Sequence, residues 1–226
     1  MFLDSDKVLY AGLTEVIKRG TAEIFEENEK GVFLRDKIGG AFMLASDDFD
    51  TAVEWLKKHE SQNYDLLVVF QRELIAFIRE RYGLTGGLDC LQAAYLSSNP
   101  PDISRKLRIE HAMDSDLGVL PAVYKTVDEA DLKKVIRRGE LFVGYHGEDM
   151  IGFVGQHLEG SMGILEILPL YQGNGYGTEM EIFMIRHMLE KGLLPFCQVV
   201  VGNEKSMKLQ KKLGLTFSER PVYWLL

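Results

Sequence analysis

The chain has 226 residues with a formal net charge of −8, and 46% of its residues are hydrophobic. This length supports one large or two small domains, and the composition predicts a globular protein with an ordinary core. A sequence pI near 5.2 argues against a nucleic-acid partner. The sequence contains no apolar run of about 18 residues and no signal-peptide pattern, so we expect no membrane segment.

The first part of the chain is predicted as a helical stretch at about residues 5–30, broken at Gly20, followed by a β-β-α-β-α-β series. The members of that series are strands 31–35, 41–45, 66–70 and 90–96, with helices at about 47–59 and 74–82. Residues 97–101, Ser-Ser-Asn-Pro-Pro, predict a linker. We therefore expect an N-terminal α/β domain at residues 1–100.

The second part is predicted as a domain at residues 105–226. Its predicted elements are strand 107–112, helices at about 116–126 and 128–138, strands 141–145, 150–157 and 164–169, helix 178–191, strand 196–201, helix 203–213 and strand 216–225. Strands and helices in this order predict an α/β class with helices flanking a sheet.

Both cysteines, Cys90 and Cys197, lie inside apolar runs. Such a pattern is typical of buried structural thiols in a reduced, cytoplasmic protein. A nucleophilic role for Cys197 is the alternative, and burial is favoured because no histidine lies nearby in the sequence. The five histidines show no metal-ligand spacing, so we expect no metal.

Residues 172–177 carry three glycines at alternate positions, between an apolar run that ends at Pro169 and an amphipathic helix. Glycines let backbone N–H groups converge, and a helix N-terminus adds unpaired N–H groups and a positive dipole end. These features predict a site for a phosphate or pyrophosphate. A glycine turn without a ligand is the alternative.

Two known phosphate-binding motifs do not fit this loop. A P-loop ends in Gly-Lys-Ser/Thr, which is missing here. The dinucleotide fingerprint needs its third glycine one residue later than Gly177 and an acidic residue about 20 positions on, where residues 194–199 contain no acid.

A third motif fits better, because Gln172, Gly175 and Gly177 resemble the Gln/Arg-x-x-Gly-x-Gly/Ala signature of the GNAT superfamily of N-acyltransferases. A second GNAT motif, Asn-x-x-Ala/Ser-x-x-Leu-Tyr-x-x-x-Gly-Phe, is matched further on. The matching residues are Asn203, Ser206, Leu209 and Gly214, with Gln210 in place of the Tyr and Leu215 in place of the Phe. Residues 159–163 and 223–225 resemble segments of the FR47/glycine N-acyltransferase-like type.

The resemblance covers residues 107–226 and implies a GNAT fold, which is a mixed, mostly antiparallel sheet with flanking helices. This fold is classed as α/β, or as α+β in some schemes. By the same resemblance, residues 1–100 form a degenerate GNAT half without a glycine loop. A purely structural partner domain is the alternative for that half.

The resemblance also implies an N-acetyltransferase that moves an acetyl group from acetyl-CoA to a primary amine, such as a small amine or amino acid. In this family the pantetheine pairs with a strand edge and a backbone N–H polarises the thioester, and the matching groups belong to Ile167 and Leu168. The residues implied to hold the pyrophosphate are Gln172, Gly173, Asn174, Gly175, Tyr176, Gly177 and Thr178. Asn203 and Ser206 are implied to bind the pantetheine arm.

An amine attacks a thioester only when it is neutral, so the reaction needs a base. Family members place a Glu where this chain has Ser161, or on the next strand where it has Gln198. Of the nearby carboxylates, Glu159 and Glu166, we favour Glu166 because it lies inside an apolar run. A solvent-facing or cation-paired Glu166, with a water chain as base, is the alternative.

The leaving thiolate needs mild help from an acid. Gln210 stands where the family usually has a Tyr, so Tyr171 is our candidate for the acid. The other candidates for proton transfer are Tyr145, Tyr176, Tyr223 and His157.

Two alternatives to small-amine acetylation remain open. One is acetylation of a protein N-terminus or lysine, and the other is a CoA-binding protein without turnover, suggested by the missing Glu and Tyr. The sequence leaves open the acceptor, the acyl length and the oligomeric state, with a homodimer among the options.

Overall fold

The computed structural model describes residues 2–103, 106–120, 124 and 127–226. The helices are α1 Ala11–Lys18, α2 Phe49–Lys58, α3 Leu74–Tyr82, α4 Glu129–Arg137, α5 Tyr176–Glu190 and α6 Glu204–Lys212. The strands are β1 Ala22–Asn28, β2 Gly31–Asp36, β3 Phe42–Ser46, β4 Leu67–Val69, β5 Gly87–Ala94, β6 Arg108–His111, β7 Leu141–His146, β8 Asp149–Gln156, β9 Met162–Ile167, β10 Phe196–Val200 and β11 Thr216–Leu225. Short 3-10 helices are Phe2–Ser5, Glu60–Gln62, Asp114–Gly118 and Pro169–Tyr171.

The chain forms two compact units, and the first contains residues up to 94 together with residues 198–208 and 216–226. Its strands are ordered β1-β2-β3-β4-β11-β5. The β3–β4 pair is parallel and the other pairs are antiparallel. Both faces of this sheet are covered, because alternate residues of β2 join different apolar clusters: Phe33 packs with Trp55 of α2, whereas Leu34 packs with Leu13 of α1.

The predicted helix at residues 5–30 is wrong beyond Lys18. Helix α1 ends there, Gly20 takes a left-handed conformation with φ of 71°, and residues 22–28 form strand β1. Pairing with β2 decides this segment, since β1 runs antiparallel to it from Ala22 to Asn28. The helical spacing of apolar residues was therefore overridden by a tertiary contact.

The second unit contains residues 95–197 and 209–215. Its strand order is β10-β9-β8-β7-β6, although only Phe196 and Cys197 of β10 belong to this unit; β10 is parallel to β9 and the other pairs are antiparallel. Helix α5 packs against β8 and β9. Of the helix predicted at 116–126, the described part includes the 3-10 helix Asp114–Gly118, while residues 121–123 and 125–126 lie outside the described residues.

The compact units differ from the predicted domains 1–100 and 105–226, because the last strand, β11, pairs with β4 and β5 of the first unit. The division into an N-terminal α/β domain at 1–100 and a GNAT domain at 105–226 stays a prediction. The predicted class is confirmed, since the sheets are mixed, mostly antiparallel and flanked by helices. Among the described helices, none combines the length and the apolar character needed to cross a bilayer.

Candidate functional site

Strand β9 has one fully paired edge and one edge that is almost unpaired. It pairs with β8 from Met162 to Ile167, whereas its described ladder with β10 consists of the single pair Met162–Cys197. We call the side of residues 163–167 that faces away from β8 the open edge, and the Met162–Cys197 pair the closed end. Gly163 is an extra residue in β9, which makes a β-bulge next to the closed end.

The open edge presents the backbone of Leu165 and Ile167. Leu168 donates its N–H to the Ile151 carbonyl at 2.9 Å, and its own carbonyl accepts the N–H of Tyr171 at 2.9 Å. Because backbone groups alternate between the two sides of an antiparallel strand, those of Ile167 and Leu165 point the other way. Of the pair predicted from the sequence, Ile167 thus lies on the open edge and Leu168 is already hydrogen-bonded. Counting alternate residues back from Ile167 would have identified Leu165.

The glycine loop leads directly from the open edge into α5. Gly173 and Gly175 both adopt positive φ, 83° and 84°, where any other residue would be strained. Helix α5 has Gly175 at its N-cap and lacks a side-chain cap, and its first backbone hydrogen bond runs from Glu179 N to Gly175 O at 3.2 Å. The N–H groups of Tyr176, Gly177 and Thr178 therefore face outward at the positive end of a 15-residue helix.

Two side chains of the loop hold it in place. Asn174 donates from Nδ2 to the Tyr171 carbonyl at 3.1 Å and to the Gln172 carbonyl at 3.3 Å. Gln172 donates from Nε2 to the Ile167 carbonyl at 2.9 Å, so it covers one acceptor of the open edge. The loop is exposed, which leaves its backbone accessible to a ligand.

Tyr171 lies at the loop end of β9, in the 3-10 helix Pro169–Tyr171. Its hydroxyl is hydrogen-bonded to Asp149, and partial burial, together with the Asp149 carboxylate, raises the pKa of Tyr171. The phenol therefore stays protonated at neutral pH. At this position the Tyr171 side chain is next to any group that binds at the loop.

Glu166 points to the face of the sheet that it shares with Phe153, its partner in the β8–β9 ladder. Phe153 is fully buried, and the ring of Tyr124 meets it edge-on at 5.8 Å. The Tyr124 hydroxyl donates to the Gly163 carbonyl at 3.1 Å. Glu166 is partly exposed, and within the described residues its carboxylate has no hydrogen-bond or ion-pair partner. A carboxylate in this setting can receive a cationic group.

Ser161 lies beyond the closed end, in the turn between β8 and β9. It is 1% exposed, and its hydroxyl donates to the Glu159 carboxylate. The Gln156 side chain donates to the Gly160 carbonyl at 3.0 Å, and the His157 N–H donates to the Ser161 carbonyl at 2.8 Å. The position that the resemblance assigns to a base is therefore a hydrogen-bonded part of a turn.

Gln210 points into the core of the second unit. Its Nε2 donates to Glu181 Oε1 at 2.8 Å, and both side chains are buried. Burial raises the pKa of Glu181 to about 6, although the Gln210 hydrogen bond acts in the opposite direction. Glu181 interrupts the apolar side of α5 between Met180 and Met184, a signal that the sequence analysis missed.

Neither cysteine has the properties of a nucleophile. Cys90 and Cys197 are free and buried, as predicted. Burial raises the pKa of Cys90 to about 11 and that of Cys197 well above its ordinary value. Among the residues that the structure covers, no group of three His, Cys, Asp or Glu side chains could hold a metal ion.

Asn203 and Ser206 belong to the first unit. The Asn203 Oδ1 accepts the Ser206 N–H at 3.1 Å, ahead of α6. This is the hydrogen bond of a helix N-cap, so capping alone explains an Asn and a small residue three positions later. The cap occupies the oxygen of the Asn203 amide and leaves the NH₂ group as a donor.

The chain is similar to one protein family and to several solved structures. Residues 142–225 match the family of FR47-like proteins. A Drosophila protein of known structure superposes with a TM-score of 0.68 at 16% identity, covering 87% of this chain and 73% of that one. No curated protein matches the sequence significantly.

Two further structures carry GNAT in their names. A GNAT-family acetyltransferase from Colwellia psychrerythraea has a TM-score of 0.54 at 14% identity, covering 98% of this chain and 90% of that one. A tandem GNAT protein from the clavulanic acid biosynthesis pathway has a TM-score of 0.50 at 11% identity, covering 87% and 78%. The chain therefore has the fold of these proteins.

Proposed function

Because residues 142–225 match the FR47-like family and the chain has the fold of GNAT proteins, we propose that it is an N-acetyltransferase using acetyl-CoA. The acetyl group passes to a primary amine on a small molecule. One observation carries this proposal: the open edge of β9 continues into the uncapped N-terminus of α5.

The two parts of this site match the two parts of coenzyme A. The N–H groups of Tyr176, Gly177 and Thr178 suit the pyrophosphate, since they lie at a positive helix end, and residues 172–175 are assigned to it by the resemblance. The amides of the pantetheine suit the backbone of Leu165 and Ile167, as an added strand would. This pairing requires that the hydrogen bond from Gln172 Nε2 to the Ile167 carbonyl is broken. Asn203 and Ser206 remain assigned to the pantetheine by the resemblance alone.

The acceptor amine is proposed to enter over the face of Glu166 and Phe153. A primary amine arrives as an ammonium ion at neutral pH and must lose a proton before it attacks. Glu166 is the base for this step, because its carboxylate has no partner among the described residues and can receive a cation. The Tyr171 hydroxyl is hydrogen-bonded to Asp149 at the loop end of β9. Tyr171 is therefore placed near the phosphates of the ligand.

A CoA-binding protein without turnover is the second candidate. It is favoured by Gln210, which stands in the place of the family's usual Tyr and is bonded to Glu181 inside the core. Acetylation of a protein N-terminus or lysine differs from the first proposal in acceptor size, and a peptide acceptor tests it in the same assay.

The test is calorimetric titration with acetyl-CoA, CoA and NAD, followed by an assay of thiol release with a panel of small amines and peptides. We expect binding of both CoA species without binding of NAD, and release of free thiol with at least one amine. Binding without thiol release for any acceptor would favour the non-enzymatic candidate. Failure to bind either CoA species would refute both.

A further inference from the structure

We propose that His157 is a second catalytic residue, which carries a proton from the acceptor nitrogen to the departing sulfur. This proposal rests on the acetyltransfer proposed above and adds the proton donor for which the sequence offered Tyr171. It assigns a role to the Glu159–Gly163 segment, which the proposed function does not otherwise use.

The closed end determines where the thioester stops. With the pyrophosphate at the loop, the pantetheine runs along the open edge from Ile167 towards Gly163. The Met162–Cys197 pair then blocks the edge, so the thioester lies at or just before Gly163. The reacting carbonyl is therefore at the bulge, about 13 Å from the loop end if β9 rises by about 3.3 Å per residue.

The side chain of His157 lies directly over this point. Its Nε2 is 2.6 Å from the position that a Cβ on Gly163 would occupy, so a larger residue at 163 would displace the ring. Gly163 itself is exposed and His157 is partly exposed, which leaves the ring accessible to a ligand. The His157 N–H is fixed by the Ser161 carbonyl at 2.8 Å, so the turn positions the imidazole.

The ring nitrogens are not used by the protein itself. Within the described residues, no hydrogen bond or ion pair of the His157 side chain is found. The acidic groups nearest to it along the chain and the sheet have other roles: Glu159 accepts the Ser161 hydroxyl, Glu140 accepts the Arg138 guanidinium at 2.8 Å, and Glu166 faces the acceptor. Both ring nitrogens are therefore available to a bound substrate.

The chemistry requires two proton acceptors. An ammonium ion that becomes an amide loses two protons: Glu166 takes the first and passes it to solvent. The neutral nitrogen then bonds to the thioester carbon, and the carbon–sulfur bond breaks with its electron pair on sulfur. His157 Nε2 takes the second proton from nitrogen and gives it to that sulfur, so the products are the amide and free CoA thiol. No other reagent is needed.

The main test is His157→Gln, with His111→Gln as the control because His111 lies on exposed strand β6 at the far side of the sheet order. We expect His157→Gln to lower kcat by about 100-fold with an unchanged Kd for acetyl-CoA, and added imidazole to restore part of the rate. Activity within about threefold of the parent would overturn the proposal, as would a loss that imidazole does not reverse.

Two further variants separate proton transfer from structure. Gly163→Ala moves the ring without removing it, so it should lower kcat by about 10-fold in the parent and have no effect in His157→Gln. Equal losses in both backgrounds would refute the assignment. Glu166→Gln should lower kcat by about 100-fold and recover as pH rises towards the pKa of the amine, whereas His157→Gln should not recover. Failure of the parent to bind acetyl-CoA would instead refute the proposed function.

Discussion

The two ends of strand β9 differ in which groups they present: backbone groups at the loop end and side chains at the other end. At the loop end, the exposed backbone of the glycine loop and the first turn of α5 presents N–H groups, and few side chains take part. In the turn just beyond the closed end, the buried side chains of Gln156, Glu159 and Ser161 form hydrogen bonds. The contrast fits the proposal that the loop end binds the pyrophosphate and the closed end limits how far the ligand extends along β9.

The first prediction breaks the loop end and has the largest expected effect. Gly175→Glu should weaken acetyl-CoA binding by at least about 100-fold, because it puts a carboxylate beside the proposed pyrophosphate. Gly192→Glu is the matched control: both glycines are exposed, have positive φ (84° and 68°) and have nothing within 4 Å of an added Cβ. Calorimetric titration of both variants measures the difference, and similar affinities would remove the loop from the site.

The second prediction concerns the core beneath the closed end, where Glu181 lies close enough to Cys197 to raise its pKa. The pKa of Glu181 is raised from the ordinary 4.5 to about 6, so its protonation stabilises the folded state. That stabilisation is complete below the unfolded value and is lost as pH rises through the folded one.

Glu181→Gln should therefore be more stable than the parent by about 2 kcal/mol at about pH 8, with little difference at about pH 4. A glutamine at 181 can also donate to the Gln210 Oε1, which in the parent has no hydrogen-bond partner among the described residues. Urea unfolding across this pH range tests the prediction. If the difference in free energy of unfolding between the two proteins stayed constant from about pH 4 to about pH 8, Glu181 would not titrate in this pH range.

The third prediction loosens the turn at the closed end and has the smallest expected effect. Gln156→Leu removes the hydrogen bond to the Gly160 carbonyl and should lower the free energy of unfolding by about 1 kcal/mol. The Kd for acetyl-CoA should stay within about twofold, since the pyrophosphate site is at the other end of β9. Gln62→Leu, at an exposed position, should change neither quantity. A large loss of affinity in Gln156→Leu alone would contradict the division between the two ends.

Sequence patterns predicted most of the elements because those elements have local causes. Helix α3 was predicted at 74–82 and is found at Leu74–Tyr82, where Gly83 ends it with φ of 75°. Strand β11 was predicted at 216–225 and has these bounds. Segment 22–28 failed because its charged residues suit an exposed edge strand, and only the pairing with β2 determines that state.

The site itself was less predictable, because its details depend on contacts between distant residues. The glycines of the loop were identified from their spacing. The closed end can be identified only from the pairing of Met162 with Cys197. The hydrogen bond of the Leu168 N–H can be identified only once Ile151 is known to lie opposite. Gln210 was recognised as a departure from the family pattern, but its partner Glu181 lies 29 positions away. Spacing cannot reveal such pairs.

If the chain transfers acyl groups as proposed, the bulge at Gly163 has a consequence for which donors the protein can use. A donor with a long acyl tail cannot continue along β9, because Met162 and Cys197 occupy the next position in the ladder. A tail that turned towards the face of the sheet carrying Phe153 would meet that buried ring and the Tyr124 ring packed against it. These two aromatic rings would thus discriminate between donors with short and long acyl groups. The contacts with the nucleotide part of CoA would be the same for every donor.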